Sequence, residues 1–243
     1  VPYRVVRARS RTEIGEARSD TAPLIGRDVE LKLLERAWNS SLVGEGQVIL
    51  FTADPGVGKS RLLRAFQDTV LQSDITRVLW YCSPYHQNTA NYPAIEQLRW
   101  MLRLTEEGSL DSLLRLEDML DRLGLSVERL APTIASLISL PTGERYHDLE
   151  GSPEYIKREF VSAQRDLLLA ASKQAPALLV VEDLHWADPT TLEVLDEVID
   201  AVRNARILVV LTARPEFLVP WTGRSNVATH KLTHLNRHET RQL

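Results

Sequence analysis

The stretch QVILFTADPGVGKSRLL, residues 47–63, constrains the fold of this chain more than any other. An apolar run of strand length passes directly into a loop with two glycines. The loop passes into Lys59-Ser60 at the head of a helical pattern. A continuous apolar run suits a strand buried on both faces, and such strands pair in parallel through helical crossovers. Four more runs follow: TRVLWYC at 76–82, ALLVVED at 177–183, RILVVLTA at 206–213 and a shorter VATHKL at 227–232. Five apolar strands separated by helices predict an α/β fold, a doubly wound and largely parallel five-stranded sheet with helices on both faces.

The helices are read from spacing. Over 28–42, Val29, Leu33 and Ala37 recur at i+4, as do Leu34 and Trp38. Further helices are expected from Lys59 to about Gln72, over 154–174 with Phe160, Leu167, Leu168 and Ala171 on one face, and from Pro189 to about Val202. The pattern from Ala94 to Leu140 is helical throughout and reads as an insertion beside the sheet. SPYHQNTANYP (83–93) and PTGERYHDLEGSP (141–153) are loops. Residues 1–22 mix five arginines with acids and little apolar content, so they read as a linker from an upstream domain, with one ordered domain over 23–243. The first residue is not methionine, which suggests a piece of a longer protein. LNRHETRQL reads as the opening of a helix, so any lid after it is expected outside this sequence.

TADPGVGKSR, residues 52–61, comes close to the phosphate-binding pattern G-x-x-x-x-G-K-[ST]. Ala53 stands where the first glycine belongs. Ala53, Asp54, Pro55, Gly56, Val57, Gly58, Lys59, Ser60 and Arg61 are the candidate cradle. Its chemistry needs backbone N–H groups turned inward onto anionic oxygens, and Gly56 and Gly58 permit the dihedrals and the close approach. The following helix adds the positive end of its dipole. In this arrangement Lys59 bridges the β- and γ-phosphates and Ser60 ligates Mg²⁺. A small residue suffices at position 53 if its φ stays negative. An ordinary glycine-rich turn is the bland alternative, and the agreement of strand, loop, Lys-Ser and helix weighs against it.

LLVVEDLHWADP places Glu182 and Asp183 at the end of a buried strand, where a carboxylate pair needs a cation or a proton to compensate it. Mg²⁺ held with Ser60 would supply one, so Ser60, Glu182 and Asp183 form the candidate metal set. Glu182 takes the metal-facing place and Asp183 that of the group orienting or deprotonating the attacking water. Simple capping of the strand is the alternative. Asp188 before Pro189 reads as a helix N-cap. His185 is either a nearby contact or a packed side chain. LVVLTARPEF ends the fourth strand with Arg214. If that strand lies between the phosphate-loop strand and the acidic strand, Arg214 faces the γ-phosphate, and an always-charged fork suits a phosphoryl anion. A surface arginine before Pro215 is the other reading.

Composition narrows the classes. The net charge is −4 and no long basic tract appears, which argues against nucleic acid as the main partner. A lone cysteine, Cys82, forbids an internal disulfide and fits a reducing cytoplasm. No apolar run reaches membrane-spanning length, and VPYRVVRARS lacks the apolar stretch of a signal peptide.

PLIGRDVELKLL, ADPGVGKSRLL, VVEDLHWADPTTLEVLD and VVLTARPEF resemble the signal-transduction ATPases of the AAA-like, STAND-type class. CSPYHQNTANYP, SLPTGERY and RPEFLVPWTG are similar to one subgroup, the bacterial ATPase module that follows a class III adenylate/guanylate cyclase domain. YRVVRARSRTEIGEAR looks like the connector leaving that cyclase. The resemblance implies strand order 5-1-4-3-2, ATP and Mg²⁺ as cofactors, and Leu24, Ile25, Gly26 and Arg27 near the adenine or ribose. It implies a nucleotide-sensing role for Arg214, with Lys59, Glu182 and Asp183 completing the catalytic set. It also implies a role near the γ-phosphate for His86 and Gln87, which otherwise read as a polar surface loop. The partners implied are the upstream cyclase, downstream helical repeats and nucleotide-dependent self-association. The departures, Ala53 and the Glu-Asp order, leave nucleotide binding intact. The competing functions are a nucleotide-binding scaffold with little hydrolysis, the ATPase module of a DNA-binding regulator, and a small-molecule kinase. No helix-turn-helix, acceptor pocket or basic lid stands out for the last two.

Overall fold

The computed structural model describes residues 24–70, 74–104, 110–147 and 149–235. The expected linker over 1–22 and the helix expected to follow Leu235 lie outside the described residues. In chain order the elements are α1 (Asp28–Leu42), β1 (Gln47–Thr52), α2 (Lys59–Val70), β2 (Thr76–Tyr81), α3 (Tyr92–Met101), α4 (Leu110–Arg122) and α5 (Val127–Leu137). They continue with α6 (Pro153–Gln174), β3 (Ala177–Glu182), α7 (Pro189–Ala201), β4 (Ile207–Ala213) and β5 (Val227–Lys231). Short 3₁₀ turns sit at Leu184–Trp186 and Val202–Asn204.

The strands form one all-parallel sheet in the order β2-β3-β4-β1-β5, the expected order read from the other edge. Central strands β3 and β4 are buried at every position. Alternate residues serve opposite faces. Val48, Leu50, Leu179, Val181, Val209 and Leu211 pack under α6 and α7. Ile49, Phe51, Leu178, Val180, Leu208 and Val210 pack under α1 and α2. This two-sided burial is why the runs show no polar alternation in sequence. β5, at the edge, is only half-buried.

The stretch after β2 builds a satellite. α3, α4 and α5 gather Leu98, Leu113, Leu116, Leu120, Leu130 and Ile134 into their own apolar cluster, closed by Ala163 of α6. Ser126 and Ser152 cap α5 and α6 by accepting from Arg129 N and Tyr155 N. In α1 the buried stripe is Leu34, Ala37 and Trp38. Val29, on the expected apolar face, is 80% exposed in the first turn of the helix. Gly46, leading into β1, admits no side chain: a Cβ there would sit 1.8 Å from the Val202 carbonyl oxygen.

Candidate functional site

Parallel pairing delivers the carboxyl ends of β1, β3 and β4 to one edge of the sheet. Thr52 pairs with Ala213, and the ladder continues as Ala53 N donates to Ala213 O at 3.2 Å. Arg214 therefore starts beside the loop that begins at Ala53. Ala53 is fully buried among the α1 and α2 side chains and has no positive φ, so a methyl group serves where a glycine was expected. Gly56 and Gly58 do need their freedom, at φ +80° and +97°, and a Cβ on either would meet no atom within 4 Å. Backbone conformation, not crowding, selects glycine there.

Lys59 opens α2 and folds back over its own loop. Its Nζ donates to the carbonyls of Ala53 at 2.6 Å and Asp54 at 3.0 Å. Burial lowers its pKa, while the nearby Asp183 carboxylate pulls in the opposite direction. Ser60 Oγ donates to Glu182 Oε2 at 2.5 Å, joining the head of α2 to the end of β3.

Alternation alone would send Glu182 and Asp183 to opposite sides of the sheet. Asp183 breaks it by adopting the left-handed region, φ 61° and ψ 45°. Its N–H is held by Thr212 Oγ1 at 3.0 Å, and its carbonyl accepts from Trp186 N at 2.9 Å. Such a backbone is uncommon for a non-glycine residue and is sustained by its neighbours.

Pro55, Gly56, Gly58, Lys59, Ser60, Arg61, Asp183, His185, Trp186 and Arg214 line one cavity of about 380 Å³. The Arg214 guanidinium lies 5.3 Å from the centre of the Trp186 ring and 3.9 Å from Glu216. His185 packs on Trp186 with both ring nitrogens buried and unpartnered, and burial lowers its pKa, favouring the neutral imidazole. Among the described residues no group of three or more His, Cys, Asp or Glu side chains could hold a metal. A magnesium ion at Ser60 and Glu182 would need phosphate and water oxygens to complete its shell, its habit at phosphate sites.

The AAA ATPase domain family matches residues 23–210. The chain belongs to that family. An uncharacterized protein of Rhizobium meliloti (strain 1021) is 27% identical over 221 residues, 90% of this chain. The chain spans about a fifth of that relative's length, 21%. Among solved structures the domain is similar to the Drosophila ORC bound to DNA, with 18% identity and TM-score 0.47 over 94% of this chain and 48% of the other. It is also similar to a signal-transduction ATPase with numerous domains (STAND) protein carrying a tetratricopeptide repeat sensor from Pyrococcus horikoshii. That likeness has 16% identity and TM-score 0.44, over 89% of this chain and 24% of that one.

In this ATPase domain several expected residues stand off the cavity. Leu24, Ile25, Gly26 and Arg27 do not line it, and Leu24 packs against the α1 and α2 core. Ala53 and Asp54 contribute carbonyls to Lys59 and no cavity wall. His86 stacks on Tyr92 with ring centroids 3.6 Å apart, and neither it nor Gln87 lines the cavity. Three contributions lacked a sequence signal. Thr212 holds Asp183 from a different strand, and Arg27 donates to Val57 O. Asp188 does cap α7, yet its Oδ1 also accepts from Asn91 N, 97 positions away.

Asp188 is 3% exposed and serves four donors: Thr190 N, Thr191 N, Asn91 N and Thr191 Oγ1. Asp188→Ala should cost about 2–4 kcal/mol, a lost cap plus orphaned buried donors. The check is urea unfolding, with a fall in midpoint at constant slope. An unchanged midpoint would show that Asn91 and α7 have other partners.

Proposed function

We propose that this domain binds Mg-ATP and hydrolyses it as a nucleotide-controlled switch within a larger signalling protein. The observation that carries the reading is the 2.5 Å contact from Ser60 Oγ to Glu182, made beside the cavity that Lys59, Asp183 and Arg214 share. A hydroxyl and a carboxylate drawn together between a phosphate loop and a strand end are a natural pair of magnesium ligands. Mg²⁺ there supplies charge neutralisation of the phosphate oxygens.

The roles follow from position. The loop N–H groups of 56–60 receive the phosphates, and Lys59 leaves its carbonyl partners to meet the β- and γ-oxygens. Asp183 orients the attacking water and accepts its proton. The water oxygen bonds to the γ-phosphorus as the bond to the β,γ-bridging oxygen breaks, leaving ADP and inorganic phosphate. Arg214 meets charge on the terminal phosphate. Leu24, Ile25 and Gly26 are the candidate base-proximal segment. The STAND-type and cyclase-linked motifs support a place between an upstream cyclase and downstream helical repeats, with nucleotide-dependent self-association as the response.

The two acids should separate in kinetics. Asp183→Asn should retain ATP affinity and lose turnover on the order of a hundredfold or more, because the water loses its base. Glu182→Gln should instead raise the Mg²⁺ concentration needed for binding. Phosphate release and calorimetry measure the two effects, and the opposite pattern would exchange the roles.

Arg214 should discriminate between nucleotides. Arg214→Ala should weaken ATP by about 1–3 kcal/mol, the scale of a charged hydrogen bond, and leave ADP nearly unchanged. Only such a differential affinity can shift a conformational equilibrium. Equal losses for ATP and ADP would exclude a sensing role.

A further inference from the structure

We infer that Arg27 is a positioning residue for the phosphate loop, holding the Val57 peptide so that the Gly58 N–H is aimed into the phosphate cavity. The side chain is 5% exposed. Its Nη2 donates to Val57 O at 3.0 Å and to Thr233 O at 2.7 Å, while Nη1 pairs with Glu30 at 3.0 Å. A buried guanidinium is always charged and keeps its acceptors, so the three contacts hold it in place.

The consequence comes from peptide geometry. In a trans peptide the carbonyl and the following N–H point in opposite directions. Val57 lies between Gly56 at φ +80° and Gly58 at φ +97°, two residues whose backbones turn freely. Unrestrained, the 57–58 peptide could rotate and present its carbonyl to an anion. Arg27 draws that carbonyl away from the cavity: Gly58 lines the cavity, whereas Arg27 and Val57 do not. The inward N–H of Gly58 is therefore set from outside the cavity. The Val57 side chain, buried among α1 and α2, anchors the same peptide.

The same nitrogen reaches the chain leaving β5. Leu232 is buried and its N–H donates to Thr52 O at 2.9 Å, so the chain leaving β5 runs beside the end of β1 and brings Thr233 to Arg27. One guanidinium thus ties the entry segment, the phosphate loop and the exit from β5 together. Displacement of residues around Thr233 would reach the loop through this single fork.

The inference rests on the nucleotide-binding reading, and the test separates the two. Calorimetry on the 243-residue chain compares Mg-ATP, Mg-GTP and magnesium tripolyphosphate, which has no base. Arg27→Ala should weaken ATP and tripolyphosphate by the same factor, on the order of tenfold or more, with the ATP-to-GTP preference unchanged. In parallel, the wild-type Gly58 amide resonance should shift on adding tripolyphosphate, and that shift should be lost in the variant while circular dichroism stays native. Arg27→Lys, whose ammonium cannot span the three acceptors as a fork, should fall the same way and serves if the alanine variant does not fold. Loss of ATP with tripolyphosphate unaffected would make Arg27 a base contact and overturn the inference. Variants that bind all three ligands as wild type would overturn it alone, and a wild-type chain that binds none of them would overturn the nucleotide reading as well.

Discussion

The insertion of β4 between β1 and β3 is the constraint on which the site depends. Parallel pairing brings the three strand ends to one edge, and that order sets the arginine after β4 between the loop after β1 and the acids after β3. The pairing is enforced by side chains with no other place to go. Every residue of β3 and β4 is buried, and a one-residue slip would exchange the two faces of the core. The register Thr52–Ala213 then sets Arg214 against the loop, and Val181–Leu211 sets Asp183 against Thr212.

Charge completes what topology begins. Glu182 and Asp183 would repel one another at a buried strand end without compensation. Two cations stand nearby, Lys59 and Arg214, each lining the cavity with Asp183, while Glu182 is bridged to the Ser60 hydroxyl. Lys59 spends its donors on two loop carbonyls, an arrangement that keeps an otherwise mobile side chain in place. Its protonated form feels burial on one side and Asp183 on the other. A polyanion with a divalent cation fits this balance, since it brings negative charge to Lys59 and Arg214 and positive charge to the two acids.

The sheet was legible because buried parallel strands leave uninterrupted apolar runs, and the glycine-rich turn into α2 because its glycines and Lys-Ser are local in sequence. Even Ala53 could be accommodated in advance, from the need for no more than a small residue at negative φ. Long-range hydrogen bonds were not legible. That Asp188 would also hold Asn91, or that Arg27 would grip Val57 and Thr233, depends on which loops the fold brings together, and no periodicity encodes it. The i+4 spacing puts Val29 on the apolar stripe of α1, yet it is 80% exposed, because spacing marks a face and not which of its turns are covered. The left-handed Asp183 was equally invisible, because an aspartate at a strand end carries no mark of its dihedrals.

A crystal structure of the chain with Mg²⁺ and a non-hydrolysable ATP analogue tests the central claim most directly. The triphosphate should lie against residues 55–60, and the metal should separate Ser60 Oγ from Glu182 in place of their direct 2.5 Å contact. The Arg214 guanidinium should be turned from Trp186 toward the terminal phosphate. A triphosphate bound elsewhere, or a Ser60–Glu182 hydrogen bond that persists with no metal beside it, would contradict the account.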